Sequence, residues 1–238
     1  MNFNLQPSSD RPRRPYAEDA RVVSAGGNAR VLRNTYALLA LSMIPTVLGA
    51  WLGLATGLAG IFGGVAGALL SFVAAMGLIF AIQAKRNSAA AVPLLLGFTF
   101  FMGLMLSRLI GMVLGLHGGA GLVMMAFAGT GTIFLGMAAL STIIKRDLST
   151  MGKWLFVGAV MLMVAGLANL FIQSSALMIT VSVMAIGIFS AFILHDLKRV
   201  QDGHETNYVM ATLGVYLSLV NVFQNLLVLL GVFGGRDE

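Results

Sequence analysis

Asp196, with His195 beside it, is the side chain of this sequence best suited to move a proton. It ends the run FSAFILHD and immediately precedes Lys198 and Arg199. A carboxylate partly removed from water holds its proton more tightly and can titrate near neutrality, which would make a gate or proton sensor. An ordinary solvated acid at a helix end reads equally well. Adjacent helix residues do not share a face, so His195 is not expected to pair with it. The second concentration of polar groups is Ser218, Asn221, Gln224 and Asn225, inside the apolar run GVYLSLVNVFQNLLVLL at 214–230. In a helix Gly214, Ser218, Asn221 and Asn225 share one face, with Gln224 at its flank. Such a stripe would be costly against lipid tails. Its plainer role is hydrogen bonding between helices; the other is to line a wet cavity. Arg108 is the only basic residue well inside an apolar run. It either snorkels to the nearer surface, the simpler option, or pairs with carbonyls and amides of the core.

The elements that must hold these groups are membrane spans. The chain has 238 residues, 58% hydrophobic and 10% charged, whereas soluble domains carry about 25% charge. Each span needs about 20 apolar residues. Seven candidates follow, at 35–55, 58–82, 92–116, 121–144, 154–173, 177–196 and 208–233. Period-two alternation is absent, so the class is all-α, not a barrel. If the polar stripe is to avoid lipid, the seventh helix must be central, surrounded by the others. Residues 1–32 read as a disordered basic tail and 33–234 as the seven-helix domain. The small residues Gly49, Gly53 and Gly57 repeat every fourth position, which suits close packing of the first two spans more simply than a dimer face. Pro45 is expected to bend the first span, with Ser42 free to help the loosened backbone.

Charge sets the orientation. Arg11, Arg13, Arg14, Arg21, Arg30, Arg33, Lys85, Arg86, Lys145, Arg146, Lys153, Lys198 and Arg199 all fall on one side of a seven-span chain, and only Arg236 on the other. Positive charge stays in the cytoplasm, which places the N-terminus inside and the C-terminus outside. The basic residues form no single patch, so nucleic acid is not an expected partner; the lipid bilayer is. There is no cysteine, hence no disulfide or thiolate metal site. His117 falls at the outer surface and His195 and His204 at the inner. No GxSxG, HExxH or Walker pattern occurs, so the expectation is a non-enzyme without cofactor or metal.

Several segments taken together resemble the Bax inhibitor-1 family: KRDLSTMG after the fourth span, FSAFILHDLKRV at the sixth, and ETNYVMATLGVYLSLVNVF into the seventh. VLRNTYALLALSM and GFTFFMGLMLS also fit, and DGHETNY with YLSLVN is similar to the bacterial YccA-like branch. The resemblance implies a seven-helix fold with the last helix central and, for many members, a pH-sensitive calcium leak. In those members an Asp on the sixth helix shares a proton with an Asp on the seventh. Asp196 matches the first position; the second is Ser218. A lone carboxylate cannot form that pair, and with a few amides it is a poor calcium site. The YccA-like branch implies a bacterial inner-membrane protein that is partner, modulator and substrate of the membrane protease FtsH. Met1 to Arg30 would suit such an unfoldase as a handle, or would simply set topology through its arginines. Two functions therefore stay open: a modulator of FtsH-type quality control, and a calcium or proton leak gated around Asp196.

Overall fold

The computed structural model describes residues 16–58, 60 and 63–234. The described residues form seven α-helices and no strand: α1 Tyr16–Thr56, α2 Gly64–Ala84, α3 Ala91–Leu114, α4 Gly119–Ile143, α5 Ser149–Ile172, α6 Ser175–Gln201 and α7 Tyr208–Gly234. All seven are long and apolar enough to cross a membrane, with mean hydropathy between 1.8 and 2.5 in their most apolar windows.

α7 is the central helix. It packs against α1, α3, α4 and α6, while α2 leans mainly on α3, and α5 on α6. Its Val209, Val215, Tyr216, Val222 and Leu227 are almost fully buried. The first four share a core with Phe98, Leu95 and Ile82 from α2 and α3 and with Ile193 and Leu197 from α6, while Leu227 packs with Val113 of α3 and Ala126 of α4. The outward faces stay apolar, as in Trp154, Phe171 and Met124, because hydrocarbon replaces water around them.

Two expectations are corrected at α1. Residues 16–32 were expected to belong to a disordered tail; they are the first turns of the helix. No proline interrupts the Ala-containing stretch after Pro15, so helix formation is not blocked there. Asn28 Nδ2 donates to the Gln201 carbonyl at 3.1 Å, and Leu32 packs on the core. The remainder of the expected tail, residues 1–15, and Arg236 lie outside the described residues. The small residues of α1 also find a different neighbour. Gly49 lies against the Phe100 carbonyl, Gly53 against Ser107, and Gly103 of α3 against the Thr46 carbonyl. The close contact is therefore α1 with α3, not the first span with the second. Gly57 and Gly64 adopt positive φ, 68° and 70°, and α2 packs mainly on α3. Ser42 donates to the Leu38 carbonyl at 2.8 Å, rather than to Leu41, whose carbonyl loses its helical donor at Pro45.

The basic helix ends gather at one end of the bundle. Gln201 Nε2 donates to Ser141 Oγ at 2.8 Å, which ties α6 to α4. Asn207 Oδ1 accepts from the amides of Val209 and Met210 at 3.0 and 3.1 Å, capping α7. Its Nδ2 donates to the Arg86 carbonyl at 2.8 Å and so anchors α7 to the α2–α3 turn. At the start of α5, Asp147 accepts from the Ser149 amide at 2.8 Å and from its hydroxyl at 3.0 Å. These two bonds, the amide first, hold the Asp147 carboxyl below its ordinary value of 3.8; the charges of His204 and Lys198 add less. A carboxylate depressed in the folded state stabilises above its unfolded value and loses that contribution as pH falls through its folded one. We expect the protection of the Ser149 amide, its exchange relative to an unstructured amide at the same pH, to be lost as pH falls below 3.8, and Asp147→Ala to lack that protection at every pH. Equal rates in both proteins at neutral pH would remove Asp147 as the cap.

Candidate functional site

The site lies at the basic end, between α5 and α6. One face of α6 carries Phe192, His195, Asp196 and Arg199; the facing stripe of α5 carries Ser149, Gly152, Lys153, Phe156 and Val157. Each follows the i, i+3, i+4, i+7 spacing that puts side chains on one helical face. Together with His204 from the α6–α7 turn they line a cleft of about 670 Å3.

Two residues at the floor of the cleft touch each other, contrary to expectation. His195 Nδ1 lies 3.2 Å from Asp196 Oδ1, although the two are adjacent on α6. Glycines on both sides make room for this. A Cβ on Gly152 of α5 would come within 2.6 Å of His195 Nε2, and a Cβ on Gly214 of α7 within 2.7 Å of Asp196 Oδ2. The imidazole thus leans onto α5 and the carboxylate onto α7, with their inner atoms turned together. Side-chain exposure is 8% for His195 and 18% for Asp196, so the pair is largely sheltered without being sealed. Lys198, which the charge count placed beside Asp196, points elsewhere: its Nζ donates to Asp202 Oδ1 at 2.6 Å.

Ser218 is buried one turn beyond Gly214, and its hydroxyl donates to the Gly214 carbonyl at 3.1 Å. The residue of α7 in contact with Asp196 is therefore Gly214, and Ser218 is committed to its own helix. The amides of the stripe behave alike. Asn221 Nδ2 donates to the Leu217 carbonyl and Asn225 Nδ2 to the Asn221 carbonyl, both at 2.8 Å. The expected bonds between helices are thus replaced, for these donors, by bonds to the preceding turn, the nearest acceptors available in an apolar setting. Gln224 is half-buried beside them. Polar links from α7 to other helices come instead from Thr212, 3.3 Å from the Thr35 carbonyl of α1, and from Tyr216, which is fully buried. Its hydroxyl lies 2.8 Å from Thr46 Oγ1 of α1 and 3.3 Å from the Thr99 carbonyl of α3. Nothing in its spacing marks Tyr216 as polar glue, since it occupies the core face together with the aliphatic residues.

Arg108 is exposed, and its Nη1 reaches to 3.7 Å from where a Cβ on Gly63 would stand, at the α1–α2 link. The guanidinium is directed toward the end of the bundle opposite the cleft. Among the described residues, no group of three or more His, Asp or Glu side chains is placed to hold a metal ion.

The family profile described as inhibitor of apoptosis-promoting Bax1 matches residues 28–235. The chain belongs to the Bax inhibitor-1 family. Among its relatives, an uncharacterized membrane protein of Vibrio cholerae is 34% identical over 209 residues, covering 87% of this chain and 92% of its own length. An uncharacterized protein of Neisseria meningitidis serogroup A is 36% identical with the same coverage. The Escherichia coli K12 protein named modulator of FtsH protease YccA is 33% identical over 208 residues, again 87% of this chain and 92% of that one. The Bax inhibitor-1 membership and the seven-helix bundle agree with the resemblance seen in the sequence.

Proposed function

We propose that this chain is a multi-pass protein of the bacterial inner membrane that engages an FtsH-type protease, restraining it and serving as its substrate. The observation that carries this reading is its similarity, over nearly the whole length of both chains, to the relative named modulator of FtsH protease. A second Escherichia coli relative is named inner membrane protein YccA. The gathering of Lys and Arg at one end supports a cytoplasmic basic end, with the N-terminus inside and the C-terminus outside. That is the side on which an ATP-driven protease would meet the chain. The role is one of binding, not catalysis.

The test is to express the tagged chain beside a wild-type or ATPase-inactive FtsH-type protease. Co-purification with the inactive protease and a longer half-life in its presence are expected. Absence of both would remove the reading. Deleting residues 1–15, which leaves the described helices whole, separates the roles: slower degradation with unchanged co-purification would identify them as the segment on which degradation starts.

The His195–Asp196 contact of 3.2 Å on the floor of an open cleft favours a second reading, a calcium or proton leak gated around Asp196. Ser218 weighs against the shared-proton form of that gate, because a hydroxyl bonded to its own helix supplies no second carboxylate. Flux in liposomes that Asp196→Asn leaves unchanged at every pH would exclude Asp196 as gate.

A further inference from the structure

We infer that the cleft between α5 and α6 binds the head group of an anionic phospholipid. The chemistry of the cleft is layered along the helix axes. Phe156 and Phe192 form its membrane-ward part, while Lys153 and Arg199, one and two turns nearer the helix ends, stand at its mouth. Cations above aromatic walls match an amphiphile whose phosphate sits at the interface and whose acyl chains run down into hydrocarbon.

The surroundings open this cleft to lipid. α5 is the least covered of the seven helices, with 6% of its most apolar window buried inside the bundle. Trp154 is 74% exposed beside Lys153, and Phe156 is 66% exposed one turn below. An exposed tryptophan at a helix end marks the level of the lipid head groups. A phosphate lying there would be within reach of both cations without leaving the bilayer.

Neither cation is held in a close ion pair within the described residues. Among the described residues no ion pair engages Lys153. Glu205 holds Arg199 only loosely, at 3.9 Å. Of the acids nearby, Asp196 is turned to His195 at 3.2 Å and Asp202 is paired with Lys198 at 2.6 Å, so neither is ion-paired with Lys153 or Arg199. A phosphodiester with a neutral head satisfies Lys153 and Arg199 together. A choline head would bring an ammonium into the same mouth and forfeit part of that attraction.

The experiment uses the full chain reconstituted in nanodiscs of equal dioleoylphosphatidylglycerol and dioleoylphosphatidylcholine, released and weighed by native mass spectrometry. Phosphatidylglycerol should be retained in preference to phosphatidylcholine. At about 1 kcal/mol per cation near the membrane surface, each cation gives on the order of fivefold preference, and the two together roughly thirtyfold. The double variant Lys153→Ala, Arg199→Ala should lose that preference; Lys153→Arg, Arg199→Lys should keep it, which separates lost charge from lost folding. Equal retention of the two lipids by the wild type would overturn the site, as would an undiminished preference in the double alanine variant. Displacement of phosphatidylglycerol by millimolar inorganic phosphate would mark a small-anion site and overturn the lipid assignment.

Discussion

Replacing Tyr216 with alanine is expected to destabilise the bundle by about 3–5 kcal/mol, the usual range for truncating a fully buried aromatic residue. The ring is completely buried and meets Phe98 edge-on with centroids 6.1 Å apart. In lipid the loss comes from the cavity and the broken contacts, since apolar surface gains little from leaving one hydrocarbon medium for another. The hydroxyl can be separated from the ring. Thr46 has the Ser42 carbonyl as an acceptor for its own proton at 2.7 Å, and the single phenol proton of Tyr216 lies between Thr46 Oγ1 at 2.8 Å and the Thr99 carbonyl at 3.3 Å. Tyr216→Phe removes that donor but strands no proton on Thr46, and should cost only about 0.6–1.7 kcal/mol. Equilibrium unfolding in mixed detergent micelles measures both. A Tyr216→Ala variant as stable as Tyr216→Phe would contradict the placement of the ring at the junction of α1, α3 and α7.

The second large effect is expected at Gly103. A Cβ there would run into the backbone of Thr46, whose carbonyl oxygen, carbonyl carbon and Cα all crowd the position. Backbone cannot step aside as the end of a side chain can, so α1 and α3 must separate. We expect Gly103→Ala to cost about 3 kcal/mol, the upper part of the overpacking range. Gly77 of α2 supplies the contrast, because nothing lies within 4 Å of its added Cβ. Gly77→Ala should be neutral or stabilise by up to about 1 kcal/mol through helix propensity. Gly103→Ala and Tyr216→Phe should also be non-additive, because both act through Thr46. Equal stabilities for Gly103→Ala and Gly77→Ala would refute the close approach of α1 to α3.

Much of this architecture can be read from residue order, and the parts that cannot share a cause. The seven spans follow from the lengths of the apolar runs, and the central place of α7 from the cost of exposing Ser218, Asn221 and Asn225 to lipid. Periodicity identifies a face; it does not identify the neighbour that covers it. Gly49 and Gly53 mark a close approach, yet their partner is α3, which the spacing of small residues does not specify. Asp196 is marked as a charge near a helix end, but its contacts with His195 and Gly214 depend on how α5, α6 and α7 meet. The cleft itself is visible only as two same-face sets, Ser149, Gly152, Lys153 and Phe156 on one helix and Phe192, His195, Asp196 and Arg199 on the next. Each set alone resembles any other amphipathic helix end. The early start of α1 was hidden by composition, since a polar stretch near Pro15 resembles a tail until Asn28 docks on Gln201.

The proposed role is most directly tested in proteoliposomes that contain an FtsH-type protease, ATP and a third, unrelated membrane substrate. Adding this chain in equimolar amount should slow degradation of that substrate severalfold, while the chain itself is consumed slowly. Unchanged degradation of the third substrate, even with the chain in large molar excess, would contradict the account.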